Sequence, residues 1–421
     1  MSYRAIILFL FSAFTANHCI AQQDTVDLLT KLQFDIDSIV NNAIQEKAFP
    51  GCIVYASLDG EPLINTTYGH HTYDSLRLVS ATDLYDLASL TKVMGATLAL
   101  MKLYEAGKLD LDAPLKDYVD GLGWRKIRNV TIRECLAHQA GLKSWIKYYE
   151  EIQKKDGSFK RKTIAKTQSV EYPYRIGERM YLHQNFYKKI KKLIKKAPLN
   201  REQGYVYSGL FYYLVPEIVE NLSGEKYSIF LKRIYDQAGI DDLLFNPLDH
   251  YPQEKIVPTE IDSFFRYQPI HGMVHDEGAI LMKGVSGNAG LFGDIESVAK
   301  LWEMFLSKGS VDSTQVVAPS TINLFTSYQY PSMNNRRGLG FDKPLLEYDP
   351  VISSIARSSS VWSFGHTGYT GTLVWADPKY DLLFVFLSNR VYPTREQKAI
   401  YQLNVRPEIH QRIYDYLEEI R

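Results

Sequence analysis

The sequence predicts an α/β (α+β) fold: one antiparallel sheet, flanked by helices, with a mainly helical segment inserted between the strands of its two ends. Strand patterns occur near both ends of the chain, over residues 52–68 and 360–388, whereas helical spacing dominates between them. The chain has 421 residues, of which 45% are hydrophobic and 23% charged, so it can bury a large core. Its 48 basic and 48 acidic residues leave no net charge, and we therefore expect no nucleic-acid partner.

The elements follow from local patterns along the chain. Val26–Ala43 has apolar residues at helical spacing, and Cys52–Ser57 and Leu63–Tyr68 are strand-like on either side of the turn Asp59-Gly60. Further helices are expected over Leu90–Ala106, Thr131–His138, Leu210–Asn221 and Pro407–Ile420, and further strands over Ser360–Phe364, Gly371–Ala376 and Asp381–Ser388. We therefore expect the sheet to be built from about 22–80 and 295–421, and the helical insertion from about 81–294.

The first 21 residues have the pattern of a secretory signal peptide. Arg4 supplies the positive start, Ala5–Ala16 is an apolar run, and Cys19-Ile20-Ala21 is a small-x-small site. The alternative is a membrane anchor, but a run of about 12 residues is far shorter than the roughly 20 that span a bilayer. Lipid attachment at Cys19 is a second alternative, which the bulky His18 disfavours. We expect cleavage after Ala21, no stable membrane insertion afterwards, and export to the periplasm or cell envelope.

Cleavage leaves the mature chain, residues 22–421, with Cys52 and Cys135 only, so no disulfide framework is expected. A basic segment, Lys143–Arg201, holds 17 basic and 5 acidic residues. Within it, the run from Lys188 to Lys196 has apolar residues on one helical face, which indicates a solvated helix docked by that face. The alternative for this segment is a surface that attracts acidic polymers or anionic lipid headgroups.

A serine and a lysine three residues apart open the Leu90–Ala106 helix, in the motif Asp86-Leu-Ala-Ser89-Leu-Thr-Lys92. A helix N-terminus favours negative charge, and residues three apart lie on one helical face, so Ser89 suits a nucleophile and Lys92 its base. The amine accepts a proton only in its neutral form, which burial or nearby positive charge favours. The motif alone is weak, because a capping serine followed by an exposed lysine is common.

The downstream motifs strengthen this interpretation. Tyr207-Ser208-Gly209 precedes a helix about 115 residues after Ser89, and Gly365-His366-Thr367-Gly368 lies between two late strands. In this order and spacing the sequence resembles the penicillin-binding-protein and class C β-lactamase superfamily of serine hydrolases, and nearly all of the mature chain shares the likeness. Segments that contribute to it are Phe49-Pro50-Gly51, Leu87–Leu115, Leu136–Leu142, Gly287–Phe292 and Gly338–Phe341.

The resemblance implies the fold of this superfamily and a role for each of several residues. It makes Ser89 the acylated nucleophile, Lys92 its base and Tyr207 the phenol that carries protons to the leaving group and from the hydrolytic water. A phenol is a useful base only beside cations, so Lys92 and Tyr207 are one coupled unit. The backbone N–H groups of Ser89 and Tyr369 would form the oxyanion hole. His366 would complete the catalytic set, and Gly209, Thr367 and Gly368 would bind the substrate.

Two departures from the superfamily pattern affect the expected substrate. Gly209 stands where penicillin-recognising members have an asparagine that binds the acyl amide, so efficient β-lactam hydrolysis is in doubt. His366 replaces a lysine, which weakens the fixed positive charge available for a substrate carboxylate, although a histidine can still donate a hydrogen bond. The alternative for His366 is a purely structural residue at the sheet edge.

Other candidate sites are weaker. His271, His275 and Asp276 have the spacing of metal ligands, but the glutamate of the zincin motif is missing, so we expect no metal site. Dinucleotide and P-loop fingerprints are missing as well, and we expect no cofactor. His138 is expected to be a supporting or capping residue.

These observations predict an exported serine hydrolase, acting as a monomer on a small-molecule or peptidoglycan-derived substrate. Segments such as Val274-His275-Asp276, Phe364–Thr372 and Phe386–Pro393 resemble modules fused to family 3 β-N-acetylglucosaminidases. That resemblance implies cleavage of amide bonds in cell-wall peptides, for example between N-acetylmuramic acid and L-alanine. The alternatives are an esterase for small acyl esters and a weakly active penicillin-binding or sensor domain.

Overall fold

The computed structural model describes residues 26–200 and 204–421, so the predicted signal peptide lies outside the described residues. Its α-helices are α1 (26–45), α2 (Leu98–Glu105), α3 (Ile132–Leu136), α4 (Phe186–Lys195), α5 (Val215–Ser223), α6 (Tyr227–Gln237), α7 (Glu277–Leu281), α8 (Ile295–Leu306), α9 (Pro319–Thr326), α10 (Ala399–Gln402) and α11 (Val405–Ile420). Its strands are β1 (Gly51–Leu58), β2 (Glu61–Gly69), β3 (Tyr85–Asp86), β4 (Ile164–Ala165), β5 (Tyr174–Gly177), β6 (Met180–Leu182), β7 (Leu243–Phe245), β8 (Glu260–Ile261), β9 (Pro269–Ile270), β10 (Leu291–Gly293), β11 (Ser310–Val311), β12 (Thr314–Gln315), β13 (Phe364–Thr367), β14 (Leu373–Asp377) and β15 (Leu382–Ser388).

The main sheet joins the two ends of the chain, as the sequence predicts. Its five strands run in the order β13-β14-β15-β1-β2. The first strand pairs antiparallel with the last, from Cys52 opposite Ser388 to Leu58 opposite Leu382. All seven residues of β15 are buried, which is typical of a central strand that is covered on both faces. The predicted mixed fold with an antiparallel sheet is therefore confirmed, and β13 lies at its edge.

The two faces of the sheet belong to two hydrophobic clusters. Phe384 and Phe386 of β15 pack with α1 and α11, whereas Leu383, Val385 and Leu387 face the second, larger cluster. This alternation follows from the two-residue period of a strand. The larger cluster continues into the helices between β2 and β13, so the edge of the sheet and the helical part share one core.

Two predicted helices begin differently in the structure. The Leu90–Ala106 helix begins with a 3₁₀ turn, Ala88–Leu90, and a π-helical turn, Lys92–Thr97, before it becomes the α-helix α2. The expected helix over Leu210–Asn221 likewise starts late, as the 3₁₀ turn Tyr212–Leu214 followed by α5. Its first turn is lost because the Ser208 hydroxyl accepts a hydrogen bond from the Leu210 N–H, which favours a turn over a helix.

The strand predicted over Ser360–Phe364 is wrong in its bounds. The hydroxyl and N–H of Ser360 both donate to the Asp377 carboxylate, and Ser363 donates to the Ser360 carbonyl, so this segment is a turn. The strand β13 starts at Phe364 instead and ends at Thr367. The consequence for the site is that His366 lies within the edge strand, not in a loop between strands.

The basic segment contains a helix that is docked by its apolar face. Phe186, Ile190 and Ile194 of α4 are buried, in agreement with the predicted apolar stripe. Two of its lysines, Lys191 and Lys195, form ion pairs with Glu217. Among the described residues, no helix is both long and apolar enough to cross a bilayer.

The packing of Trp302 generates a stability prediction. This fully buried ring on α8 contacts Phe305, Phe341 and Phe364, and Phe364 begins the strand of His366. We expect Trp302→Ala to lower the free energy of unfolding by about 3–5 kcal/mol, because loss of the ring leaves a cavity in the packed core. Urea denaturation measures this change. Trp124→Ala is the matched control, since that ring is 96% exposed. An equal loss of stability in both variants would contradict the role of Trp302 in the core.

Candidate active site

Ser89 lies in a strained turn at the end of β3. The preceding residue, Ala88, has φ +46°, a left-handed conformation that a residue with a side chain rarely adopts. The Asp86 carboxylate stabilises it by accepting hydrogen bonds from the Ala88 N–H (2.9 Å) and the His275 N–H (2.7 Å). Burial raises the pKa of Asp86. The turn leaves Ser89 half-buried between fully buried neighbours.

Lys92 is directly bonded to Ser89. Its Nζ lies 2.8 Å from the Ser89 Oγ and also donates to the Asn288 carbonyl at 2.8 Å. The lysine is 3% exposed, so water contributes little to its solvation. These contacts hold the amine within proton-transfer distance of the hydroxyl.

Tyr207 lies beside the lysine with three other nitrogen-bearing side chains around it. The centre of its ring is 5.4 Å from Lys92 Nζ and 5.6 Å from the guanidinium carbon of Arg337. The His138 and His366 rings are 4.6 Å and 5.9 Å away, centre to centre. The structure therefore brings Ser89, Lys92, Tyr207 and His366 together, although they are far apart in the sequence.

His366 is buried and neutral. Burial first, and the positive charge of Arg337 second, lower the pKa of His366 from 6.5 to about 3. Its Nδ1 donates to the Thr367 carbonyl at 2.8 Å, which leaves Nε2 as an acceptor without a partner among the described residues. The one N–H of the neutral ring is thus already used within the strand, and the catalytic role of His366 stays a prediction.

His138 supports the Tyr207 segment. Its Nδ1 accepts a hydrogen bond from the Ser208 N–H at 3.1 Å, and the ring packs against Tyr207 at a tilt of 45°. Burial and then the charge of Arg337 lower the pKa of His138 far below its ordinary value. The ring is therefore neutral and fixes the backbone that carries Tyr207.

The turn after β13 packs onto the Ser89 turn. Thr370 Oγ1 donates to the Asp86 carbonyl at 2.7 Å, and Gly368 N–H donates to the Thr372 carbonyl. A Cβ at Gly368 would lie 2.7 Å from the Leu87 carbonyl oxygen, so only glycine allows this close approach. The backbone of Tyr369, between Gly368 and Thr370, therefore lies beside Ser89, and the half-buried Thr367 precedes it.

Gly209 has space around it. Its N–H donates to the Ser144 carbonyl at 3.2 Å, and a Cβ would meet only Tyr213 and Asn288, at 3.8 and 3.9 Å. These are ordinary van der Waals distances, so a side chain could be accommodated there.

Comparison with known proteins places this arrangement in a family. The beta-lactamase family model matches residues 36–406. The chain belongs to the beta-lactamase family. It is 28% identical over 408 residues to the N-acetylmuramyl-L-alanine amidase of Bacillus subtilis strain 168, covering 88% of this chain and 84% of that protein.

Two further comparisons agree with this assignment. The chain is 29% identical over 328 residues to an Escherichia coli K12 protein provisionally named D-alanyl-D-alanine carboxypeptidase, covering 73% of this chain and 69% of that one. The structure resembles a penicillin-binding-protein homologue from Caulobacter crescentus with a TM-score of 0.62 at 17% identity, covering 91% and 96% of the chains. The predicted fold and serine hydrolase class of this beta-lactamase family member are confirmed at that level.

The three residues considered as metal ligands are each engaged by the protein. His271 Nε2 lies 2.6 Å from the Ile256 carbonyl, and His275 Nε2 lies 2.8 Å from Glu260. Asp276 caps α7 and accepts a hydrogen bond from the Tyr213 hydroxyl. Within 26–200 and 204–421, no three histidine, cysteine, aspartate or glutamate residues are grouped to hold a metal ion.

Sequence reasoning missed several residues that shape this site in the beta-lactamase family member. Asn288 contributes a carbonyl and not its side chain, so its residue type gives no signal. Arg337 directly precedes the Gly338–Phe341 segment that was noted only for resemblance. Arg395 forms ion pairs with Glu260 and Glu277 behind His275, a contact between distant segments.

The neutral buried histidines generate a pH prediction. The unfolded chain binds a proton at His366 below about pH 6.5, whereas the folded chain does not do so until about pH 3. Each such histidine therefore lowers the free energy of unfolding by up to about 1.4 kcal/mol per pH unit as the pH falls below 6.5. His410, whose pKa burial also lowers to about 3, should contribute equally.

Urea denaturation between about pH 5 and pH 7 measures this dependence. We expect His366→Gln and His410→Gln each to flatten the slope. The exposed His250 provides the control, since His250→Gln should leave the slope unchanged. An unchanged slope in the His366 variant would mean that folding does not lower the pKa of this ring.

Proposed function

We propose that the protein is an exported serine hydrolase that cleaves amide bonds in peptidoglycan fragments through an acyl-enzyme at Ser89. The observation that carries this proposal is the 2.8 Å contact between Lys92 Nζ and Ser89 Oγ, with the Tyr207 ring over the same amine. A serine hydroxyl is a poor nucleophile until a base takes its proton, and a buried amine at this distance is placed to do so. The names of the amidase and carboxypeptidase relatives support the substrate class.

In the proposed acylation step, Ser89 Oγ attacks the carbonyl carbon of the amide while its proton passes to Lys92. The carbonyl oxygen becomes an oxyanion, which the backbone N–H groups of Ser89 and Tyr369 would stabilise by two hydrogen bonds. Collapse of this intermediate breaks the C–N bond. Tyr207 then donates a proton to the leaving nitrogen and is reprotonated from Lys92, so the amine departs neutral.

In the proposed deacylation step, a water molecule attacks the ester carbon of the acyl-enzyme. Tyr207 takes a proton from this water as its own proton passes to the neutral Lys92, and the bond to Ser89 Oγ breaks as Lys92 returns that proton to the serine. The products are the free acid and the regenerated enzyme. Neutral His366, with its acceptor Nε2 near the Tyr207 ring, adds no positive charge that would oppose proton uptake by the phenol.

A chain of contacting, mostly aromatic side chains, here called the aromatic ridge, supports a large substrate. The ridge consists of Trp145, Tyr149, Phe264, Arg395, His275 and Tyr369, each within about 3.3 to 6.1 Å of the next. It starts next to Ser144, which binds Gly209, and ends at the proposed oxyanion residue Tyr369. Trp145 and Tyr369 are 42% and 45% exposed, so both rings offer apolar faces to a ligand.

The ridge is better suited to bind a neutral ring of the substrate than a charged group. Its one arginine, Arg395, is already paired with Glu260 and Glu277, and therefore offers little free charge to a substrate carboxylate. Exposed aromatic faces suit the apolar face of a sugar ring. A muropeptide, which carries its amide bond next to an amino sugar, fits both the ridge and the nucleophile.

Export is part of the same proposal. The enzyme would encounter peptidoglycan fragments outside the cytoplasm, and the first 21 residues have the pattern of a secretory signal. The cell-wall substrates in the names of the relatives support the same location.

Mass spectrometry of N-acetylmuramoyl-peptides incubated with the mature protein tests the proposal. We expect loss of one amide bond, with kcat/KM at least about tenfold higher than for the same peptide without the sugar, because the ridge contributes binding. Ser89→Ala should lower the rate by at least about 10³-fold, since it removes the nucleophile.

The matched control is Ser80→Ala, the same change at an exposed serine, which should retain activity. A product that forms equally in the Ser89 variant would exclude the proposed acyl-enzyme. If muropeptides stay intact while a fluorophosphonate labels Ser89, hydrolysis of small acyl esters becomes the favoured function.

Weak penicillin binding is a second candidate, and the open space at Gly209 bears on it. An asparagine there could donate to the acyl amide of a β-lactam, one hydrogen bond of about 1 kcal/mol. We expect Gly209→Asn to increase the rate of labelling by a fluorescent penicillin by about fivefold. Gly204→Asn is the control because that position also has open space. Equal labelling of both variants would show that Gly209 does not limit β-lactam recognition.

A further inference from the structure

Arg337 is a buried cation next to the proposed proton-transfer residues. Its side chain is almost completely buried, and Nη1 lies 3.0 Å from the Asp342 carboxylate while Nη2 donates to the Gly340 carbonyl at 3.2 Å. Burial alone would lower the pKa of Arg337, but Asp342 and nearby tyrosines raise it above its ordinary value. The guanidinium therefore stays charged at every pH at which the protein is folded.

The segment that carries Arg337 is fixed at both ends to the site. Asn335 Nδ2 donates to the Ala137 carbonyl at 2.9 Å, and its Oδ1 accepts from the Arg337 N–H. At the other end, Asp342 exchanges two backbone hydrogen bonds with Gly365, the residue before His366. Arg337 is thereby held between the His138 segment and the edge strand, and it has little freedom to move away from Tyr207.

The charge of Arg337 acts on several groups at once. It contributes to the lowered pKa of His366 and of His138, although burial is the larger cause for both. Its guanidinium carbon lies 5.6 Å from the Tyr207 ring, on which Lys92 also acts from 5.4 Å. The titratable and charged groups around it are Lys92, His138, Tyr205, Tyr207, Tyr212, Arg336, Asp342 and His366.

We propose that Arg337 is the fixed positive charge of the catalytic site, and that it sets the pH above which the Lys92–Tyr207 pair can take the proton of Ser89. A cation favours the proton-free form of each group near it, so it extends the active range towards lower pH. His366 is neutral and therefore cannot supply this positive charge. Arg337 does not contact Ser89 and acts through Tyr207 and Lys92, so it is a positioning residue. The inference rests on the proposed roles of those three residues.

The negative charge of Asp342 partly offsets the effect of Arg337 on Tyr207 and Lys92. Its carboxylate accepts from both Arg337 and Arg336, and the two arginines lower its pKa even though burial opposes this. One negative charge shared by two arginines leaves a positive excess on the side of Tyr207. Because Arg336 is partly exposed and Arg337 is buried, water screens the first charge more than the second.

The pH dependence of Ser89 labelling by a fluorophosphonate tests this inference without any assumption about the natural substrate. We expect Arg337→Gln to move the acid limb of the rate profile up by about one pH unit, with a roughly tenfold loss at neutral pH and recovery at higher pH. Arg337→Lys should restore the profile. Arg336→Gln, at the neighbouring arginine of the same carboxylate, should change the midpoint much less.

Asp342→Asn provides a change of opposite sign. Removal of the negative charge leaves Arg337 less neutralised, so the acid limb should move to lower pH, an effect that damage to the fold would not produce. A uniform loss at all pH values in the Arg337→Gln variant, or an unchanged midpoint, would overturn the inference. If the unmodified protein is not labelled at Ser89 at any pH, it is the proposed function that fails.

Discussion

The burial of one lysine amine is the constraint on which the site depends. Water cannot satisfy Lys92 Nζ at 3% exposure, so the protein must supply its hydrogen-bond partners. It does so with Ser89 Oγ, three residues away, and with the Asn288 carbonyl, 196 residues away. The two segments are joined further by the Leu87 N–H, which donates to the Leu291 carbonyl. The geometry of the Ser-x-x-Lys motif is therefore set by tertiary structure, and the motif alone could not maintain it.

Burial also determines which of the groups around this amine are charged and which are neutral. The two histidines nearest Tyr207 are held neutral because their charged forms are poorly solvated, and the charge of Arg337 adds to this effect. Arg337 can remain charged in the same surroundings because Asp342 lies 3.0 Å from it. In the proposed mechanism the proton moves between Lys92 and Tyr207, while the two histidines stay neutral and Arg337 stays charged.

The parts of the structure that were predictable from sequence are those that depend on local pattern. Runs of β-branched and apolar residues predict β1 and β15. The order of the motifs, through the resemblance to a known superfamily, predicts which residues meet. The turn over Ser360–Ser363 was misassigned as a strand because its bonds to Asp377 involve a residue 17 positions away. Arg337 was missed because an arginine is usually exposed, whereas this one is buried. The aromatic ridge was missed because its contacts join segments that are distant in the sequence.

Gly209 and the aromatic ridge bear on specificity together. A site that lacks a side-chain amide at Gly209 forms one fewer polar contact with the acyl part of a substrate, so small acyl groups lose orientation there. Trp145 lies at the opposite end of the ridge from Tyr369 and offers apolar contact area to groups farther from the reacting carbonyl. Binding energy from such remote groups can position the bond that is cleaved. Under the proposed function, a large sugar-bearing substrate regains on the ridge the orientation that a small ester or β-lactam lacks.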